Sequence, residues 1–170
     1  MFYEDIRIGQ STDLGRTEFS REAILAYGKR FDPRIVAQAA AGNARLAASG
    51  MHVAAAGMRR LVDTRSALRA ALAERGETLP QLGVSPGFRD MRWLHAVHEG
   101  DIVAYSVEPV SKRETSKPRW GLVTNTFRGV NQRGEEVLAF SSAVLIARRP
   151  EEDLQHPPLR SRYFRSGRPS

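Results

Sequence analysis

The chain of 170 residues contains no cysteine. That absence excludes disulfides, thiolate metal sites and a thiol nucleophile. It also lacks any run of roughly 18 apolar residues, the length a membrane-spanning helix requires. The N-terminus, Met1-Phe2-Tyr3-Glu4-Asp5, carries acids where a secretory signal would carry an apolar stretch, so no signal peptide is expected. There are only four histidines, and their spacing matches no metal-ligand pattern. The glycine-rich "GVSPG" has the wrong spacing for a phosphate loop and no following Lys-Ser/Thr, and no G-x-S-x-G or Ser-His-Asp arrangement occurs.

With 41% hydrophobic and 26% charged residues, the chain has ordinary globular composition and enough length to bury a core. A soluble, cytoplasmic protein is the expectation. The net charge of +7 is concentrated partly in the segment after Pro150, "LRSRYFRSGRPS", which reads as a mobile basic tail spanning 151–170. In the body, arginines alternate with acids and no aromatic-basic patch of an RNA-binding sheet is present, so nucleic acid is not an expected partner.

Residues 1–19 read as an extended lead-in with turns at Gly9 and Gly15 and a short strand at "TEF". Ser20 is placed to cap a helix with Glu22 in its first turn, and Ile24, Tyr27, Gly28 and Phe31 share one helical face. Pro33 marks the exit, leaving Asp32 on a loop. The alanine-rich stretch 34–48 is interrupted by Gly42 and Asn43 and reads as a short or broken helix. From Ser49 a longer helix begins. Ala54, Ala55, Ala56 and Gly57 allow close approach of another backbone, Met51, Met58, Leu61 and Val62 supply bulk, and Gly76 can end it.

Beyond it the period changes. "FRDMRWLHAV", a "HEGD" turn, "IVAYSVEPV", a charged loop "SKRETSKPR", "WGLVTNTFRGV", an "NQRG" turn and "EEVLAFSSAVLIARR" are strand-like runs between turn signals. Val103, Tyr105 and Val107 alternate with Ala104, Ser106 and Glu108, as in a sheet with one buried face. Short connections predict an antiparallel meander for the last strands. The fold class is therefore α+β, a curved antiparallel sheet around one long central helix, in a single domain over 1–150.

Five pieces in order, "FYEDIRIGQ", "RFDP", "ASGMHVAAAGMRRLVD", "SPGFRDMRWLHAVHEGD" and "GEEVLAFSSAVLIARRP", resemble the MaoC-like acyl dehydratases and (R)-specific enoyl-CoA hydratases, which have the hot-dog fold. The resemblance runs from Tyr3 to about Arg149. It implies reversible addition of water to a 2-enoyl thioester by an aspartate and a histidine on a loop, with a backbone N–H at the helix start holding the thioester oxyanion. The chemistry needs those parts: a base and an acid to move protons, and preorganised donors for the enolate.

By that resemblance Asp32 matches the loop aspartate and Gly50 the oxyanion glycine, while the histidine position falls on Ala37. No histidine, tyrosine, glutamate or lysine lies between Asp32 and Gly50. Asp32 also has an ordinary reading as a helix-exit residue beside Pro33. His52, near the helix N-terminus where a neutral imidazole is favoured, is a candidate ligand contact or a structural residue. His95 and His98 flank a turn and read as solvated; His156 has no assigned role. Met51, Met58 and Trp93 read as core or as lining of an acyl tunnel rather than a cofactor site, and no cofactor or metal is expected.

The basic side chains Arg59, Arg60, Arg89, Arg92, Lys112, Arg113 and Lys117 are possible contacts for the phosphates of an acyl-CoA or acyl-carrier thioester, though each alone reads as a solvated charge. Two functions follow: a hydratase or dehydratase with a degenerate site, or a catalytically inactive acyl-CoA-binding or partner subunit. A thioesterase is a third, weakened because Asp63 lies far along the helix. A lone hot-dog unit leaves helix surface and sheet edge to cover, so a homodimer or larger assembly is expected.

Overall fold

In a computed structural model, residues 2–42, 45–77 and 79–150 are described; the basic tail expected at 151–170, with His156, lies outside them. A 3-10 turn at Tyr3–Asp5 leads into β1 (Thr12–Glu18), α1 (Arg21–Phe31), α2 (Pro33–Ala40), α3 (Gly50–Ala73), β2 (Gly87–Trp93), β3 (Ile102–Glu114), β4 (Trp120–Asn131) and β5 (Glu136–Ala147). The strands form one antiparallel sheet in the order β1-β3-β4-β5-β2. This is the α+β arrangement read from the sequence, with the long helix laid on one face of the sheet.

Side-chain size explains that packing. Val53, Ala54 and Gly57 are the buried residues of α3. A Cβ at Gly57 would stand 2.8 Å from the rings of both Phe127 and Tyr105, so only glycine lets the helix lie this close. The Tyr105 ring also passes over Gly129, its register partner on β4, and its hydroxyl donates to the Val53 carbonyl at 2.8 Å. Burial holds that phenol above the ordinary tyrosine range, so it stays a donor. Around it, Phe19, Ile24, Leu46, Val103, Phe127 and Leu138 complete the core.

Three expectations are modified. β3 continues through Ser111–Glu114, so half of the expected charged loop is strand. β1 is seven residues long, with Gly15 (φ +88°) at a bulge, rather than the short "TEF". β2 pairs with β5 at the edge opposite β1, not with the strand that follows it. The link 94–101 instead crosses the end of the β4–β5 hairpin, where the Leu94 N–H donates to the Val137 carbonyl at 3.1 Å. Three apolar expectations also fail, since Phe31 at the end of α1 is 62% exposed and Met51 and Val62 of α3 are each 56% exposed.

Candidate functional site

Ser20 caps α1, its hydroxyl accepting from the Ala23 N–H at 3.1 Å, and α1 ends at Asp32. No loop follows. Asp32 is at once the C-cap of α1 and the N-cap of α2, which Pro33 opens. Pro at a first helical position forfeits no bond, so the chain turns straight into the next helix. The Asp32 carboxylate is taken by Arg34, which donates from Nε at 2.9 Å and Nη2 at 3.0 Å. Its side chain is 14% exposed, and the Arg34 guanidinium holds it below the ordinary carboxylate range. An ionised carboxylate in a two-pronged ion pair has little basicity to offer. Ala37 is exposed on α2, and its methyl group leaves no proton-transferring side chain at the resemblance-implied histidine position.

The start of α3 is built differently. Ser49 occupies the N-cap without a side-chain bond, and no acid lies in the first turn. Free N–H groups and the positive end of the helix dipole are therefore available to a ligand oxygen. A cavity of about 280 Å³ opens there, lined by Ala48, Gly50, Val53, Trp93, Leu94, His95, Ala96, Val97 and Val137. Trp93 closes one wall: its indole N–H donates to the Gly50 carbonyl at 2.7 Å, and a Cβ at residue 50 would stand 2.6 Å from that nitrogen. Thus Gly50 is glycine because an aromatic ring lies on it.

Strand-like pairing before the helix sets the opposite wall. Ala47 bridges His98 antiparallel, the Ala48 N–H donates to the Val97 carbonyl at 2.8 Å, and the Glu99 N–H to the Leu46 carbonyl at 2.9 Å. That pairing ends where the helix begins, and it sets the segment carrying His95 beside the entry to α3. His95 does line the cavity, and its Nδ1 lies 2.9 Å from the Glu136 carbonyl. The far end of the segment is fastened by the fully buried Asp101. Its carboxylate accepts from the His98 N–H at 2.8 Å, Gln132 at 2.8 Å, Arg133 at 2.9 Å and Arg45 at 3.2 Å. Burial alone would raise its pKa, but Arg133, the His98 N–H and Gln132 outweigh that and hold it far down.

Of the residues singled out from the sequence, Gly50 lines the cavity; Asp32 and His52 do not. His52 stacks on Tyr27 (ring centroids 4.5 Å apart) and meets Phe19 edge-on at 5.1 Å. Its Nδ1 is buried without a hydrogen-bond partner, and burial lowers its pKa, so it is a neutral packing group. His95 is exposed, as read from the sequence, but it also lines the cavity, which sequence reasoning did not foresee. Nothing local marks it, because its partner carbonyl is 41 positions away.

The basic side chains divide. Lys112 is spent on the carbonyls of Tyr3, Glu4 and Ile6, Arg59 on Asp63 and Arg60 on Thr17. Arg89 and Arg113 instead flank a groove of about 370 Å³ on the outer face of the sheet. Among the described residues no cluster of acids and histidines could hold a metal, and no helix is long and apolar enough to cross a membrane.

No family model matches the chain. A MaoC-like dehydratase from Rhodospirillum rubrum superposes with a TM-score of 0.68 and 28% identity, covering 88% of this chain and 99% of that one. The chain has the hot-dog fold and is similar to the MaoC-like dehydratases. A Mycobacterium tuberculosis protein with a double hotdog fold matches it with a TM-score of 0.63 and 17% identity, over 89% of this chain and 45% of its own length, a likeness of fold alone. In sequence, a mesaconyl-CoA hydratase from Cereibacter sphaeroides is 31% identical over 78 residues, 44% of this chain. The match spans 23% of that relative's length.

Proposed function

We propose that this MaoC-like protein adds water to, or removes it from, an acyl thioester carried by CoA or an acyl-carrier protein, at a site without the loop aspartate–histidine pair. The observation that carries the reading is the uncapped start of α3 opening on a cavity beside Gly50. Addition of water to a 2-enoyl thioester develops negative charge on the carbonyl oxygen, and helix N–H groups are suited to receive it. The Cereibacter relative's action on a CoA thioester supports the substrate class. The excess of basic side chains over the whole chain suits an anionic carrier. The chemistry in this reading calls for no bound cofactor. The absence of cysteine fits a cytoplasmic setting, and the open edge of β2 fits a homodimer.

The test is hydration of a short trans-2-enoyl-CoA, followed by loss of enone absorbance, with wild type and Asp32→Ala side by side. Wild type turns over, and Asp32→Ala stays within about threefold of it, where loss of a working acid–base group would cost roughly 10²–10⁴-fold. Turnover abolished in Asp32→Ala would restore the aspartate to the mechanism. No wild-type turnover with retained acyl-CoA binding would favour the second reading, an inactive binding or partner subunit. The observation behind that reading is α2 itself, a helix bearing exposed Ala37 where a catalytic loop is expected.

A further inference from the structure

We infer that His95 is the acid–base residue of this site, taking the part that the α1–α2 junction cannot supply. The inference rests on the acyl-thioester reading and adds a catalytic group to it. Three observations converge. His95 and Gly50 line the same cavity. The pairing of 46–48 with 97–99 brings the segment that carries His95 beside the entry to α3 independently of any side-chain geometry. The tautomer is also set: the Glu136 carbonyl, 2.9 Å from Nδ1, can only accept, so Nδ1 carries the proton and Nε2 keeps its lone pair. A histidine oriented through one nitrogen and free at the other is the form a general base requires.

The other candidates fall short of it. Nδ1 of His52 is enclosed, with its ring stacked on Tyr27. Asp32 is paired to Arg34 and stands outside the cavity.

The step balances without any added reagent. Nε2 of His95 takes one proton from a water molecule as the water oxygen bonds to the β-carbon of the enoyl group. The carbon–carbon π pair shifts toward the carbonyl, giving an enolate whose charge rests on the thioester oxygen at the start of α3. The imidazolium then returns its Nε2 proton to the α-carbon while the carbonyl re-forms. One water is added, the histidine ends neutral, and the reverse sequence is dehydration.

His95→Asn is the informative substitution, because the asparagine amide can replace the Nδ1 donor to Glu136 while removing Nε2. Crotonyl-CoA hydration is measured alongside calorimetric binding of the unreactive butyryl-CoA and the thermal midpoint. We expect kcat to fall roughly 10²–10⁴-fold, with butyryl-CoA affinity held within about threefold and the midpoint unchanged. His95→Gln, read the same way, serves if the asparagine variant does not fold. Turnover within about threefold of wild type would overturn the assignment while leaving the acyl-thioester reading intact. No turnover in wild type, with butyryl-CoA still bound, would overturn the assignment and the enzymatic reading together.

Discussion

Between Phe19 and Tyr27 the imidazole of His52 is held where a proton is costly, since burial disfavours the cation and Nδ1 has no acceptor beside it. The sign of its linkage to pH follows. The unfolded chain titrates this histidine near 6.5, and the folded chain lower, so between those values the unfolded state binds more protons. Stability from the neutral ring is complete above 6.5 and drains away as pH falls toward the folded value. His52→Phe keeps an aromatic face for Tyr27 and removes the titration. On lowering the pH from about 7.5 to about 5.5, wild type is expected to lose more of its thermal midpoint than His52→Phe. Parallel midpoint curves for the two proteins would show that this ring does not titrate on unfolding.

Among elements, α3 and the sheet meet through the smallest side chains the sequence has. A Cβ on Gly57 would lie 2.8 Å from ring carbons of both Phe127 and Tyr105, and neither ring is free to swing: each is buried, and the Tyr105 hydroxyl is tied to Val53. Overpacking of this kind costs about 1–3 kcal/mol, against roughly 1 kcal/mol returned by the helix preference of alanine over glycine. Gly57→Ala is therefore expected to be destabilised by up to about 2 kcal/mol, a drop of up to several degrees in thermal midpoint at roughly 2–4 °C per kcal/mol for a domain of this size. A midpoint at or above that of wild type would mean that α3 has room to lift. Gly50 meets Trp93, a partly exposed ring at 47%, so its constraint is the softer of the two.

At the scale of the molecule, what could be read from the residues followed local physics. The Ser20 cap, the small-residue helix and the alternation of Val103 and Tyr105 are each written within a few neighbouring positions, and each is as expected. The pairing of β2 with β5, the ion pair that occupies Asp32 and the carbonyl that orients His95 depend on where distant or competing partners fall. Sequence spacing carries none of these.

One consequence of the topology remains to be met by a partner. β2 lies at a sheet edge, almost wholly exposed, and bears Phe88 and Trp93; exposed Met51 begins α3, whose carbonyl at Gly50 receives Trp93. An edge of that kind invites pairing with another strand, and a second copy of the chain is the nearest source. Sedimentation at micromolar concentration is expected to give a mass of about twice the 18.9 kDa chain. Phe88→Lys, which puts a charge on the edge, is expected to shift that mass toward the monomer while leaving the circular dichroism unchanged. A wild-type protein that sediments as a monomer would mean that the edge of β2 stays open, and that the cavity beside Gly50 is completed within one chain.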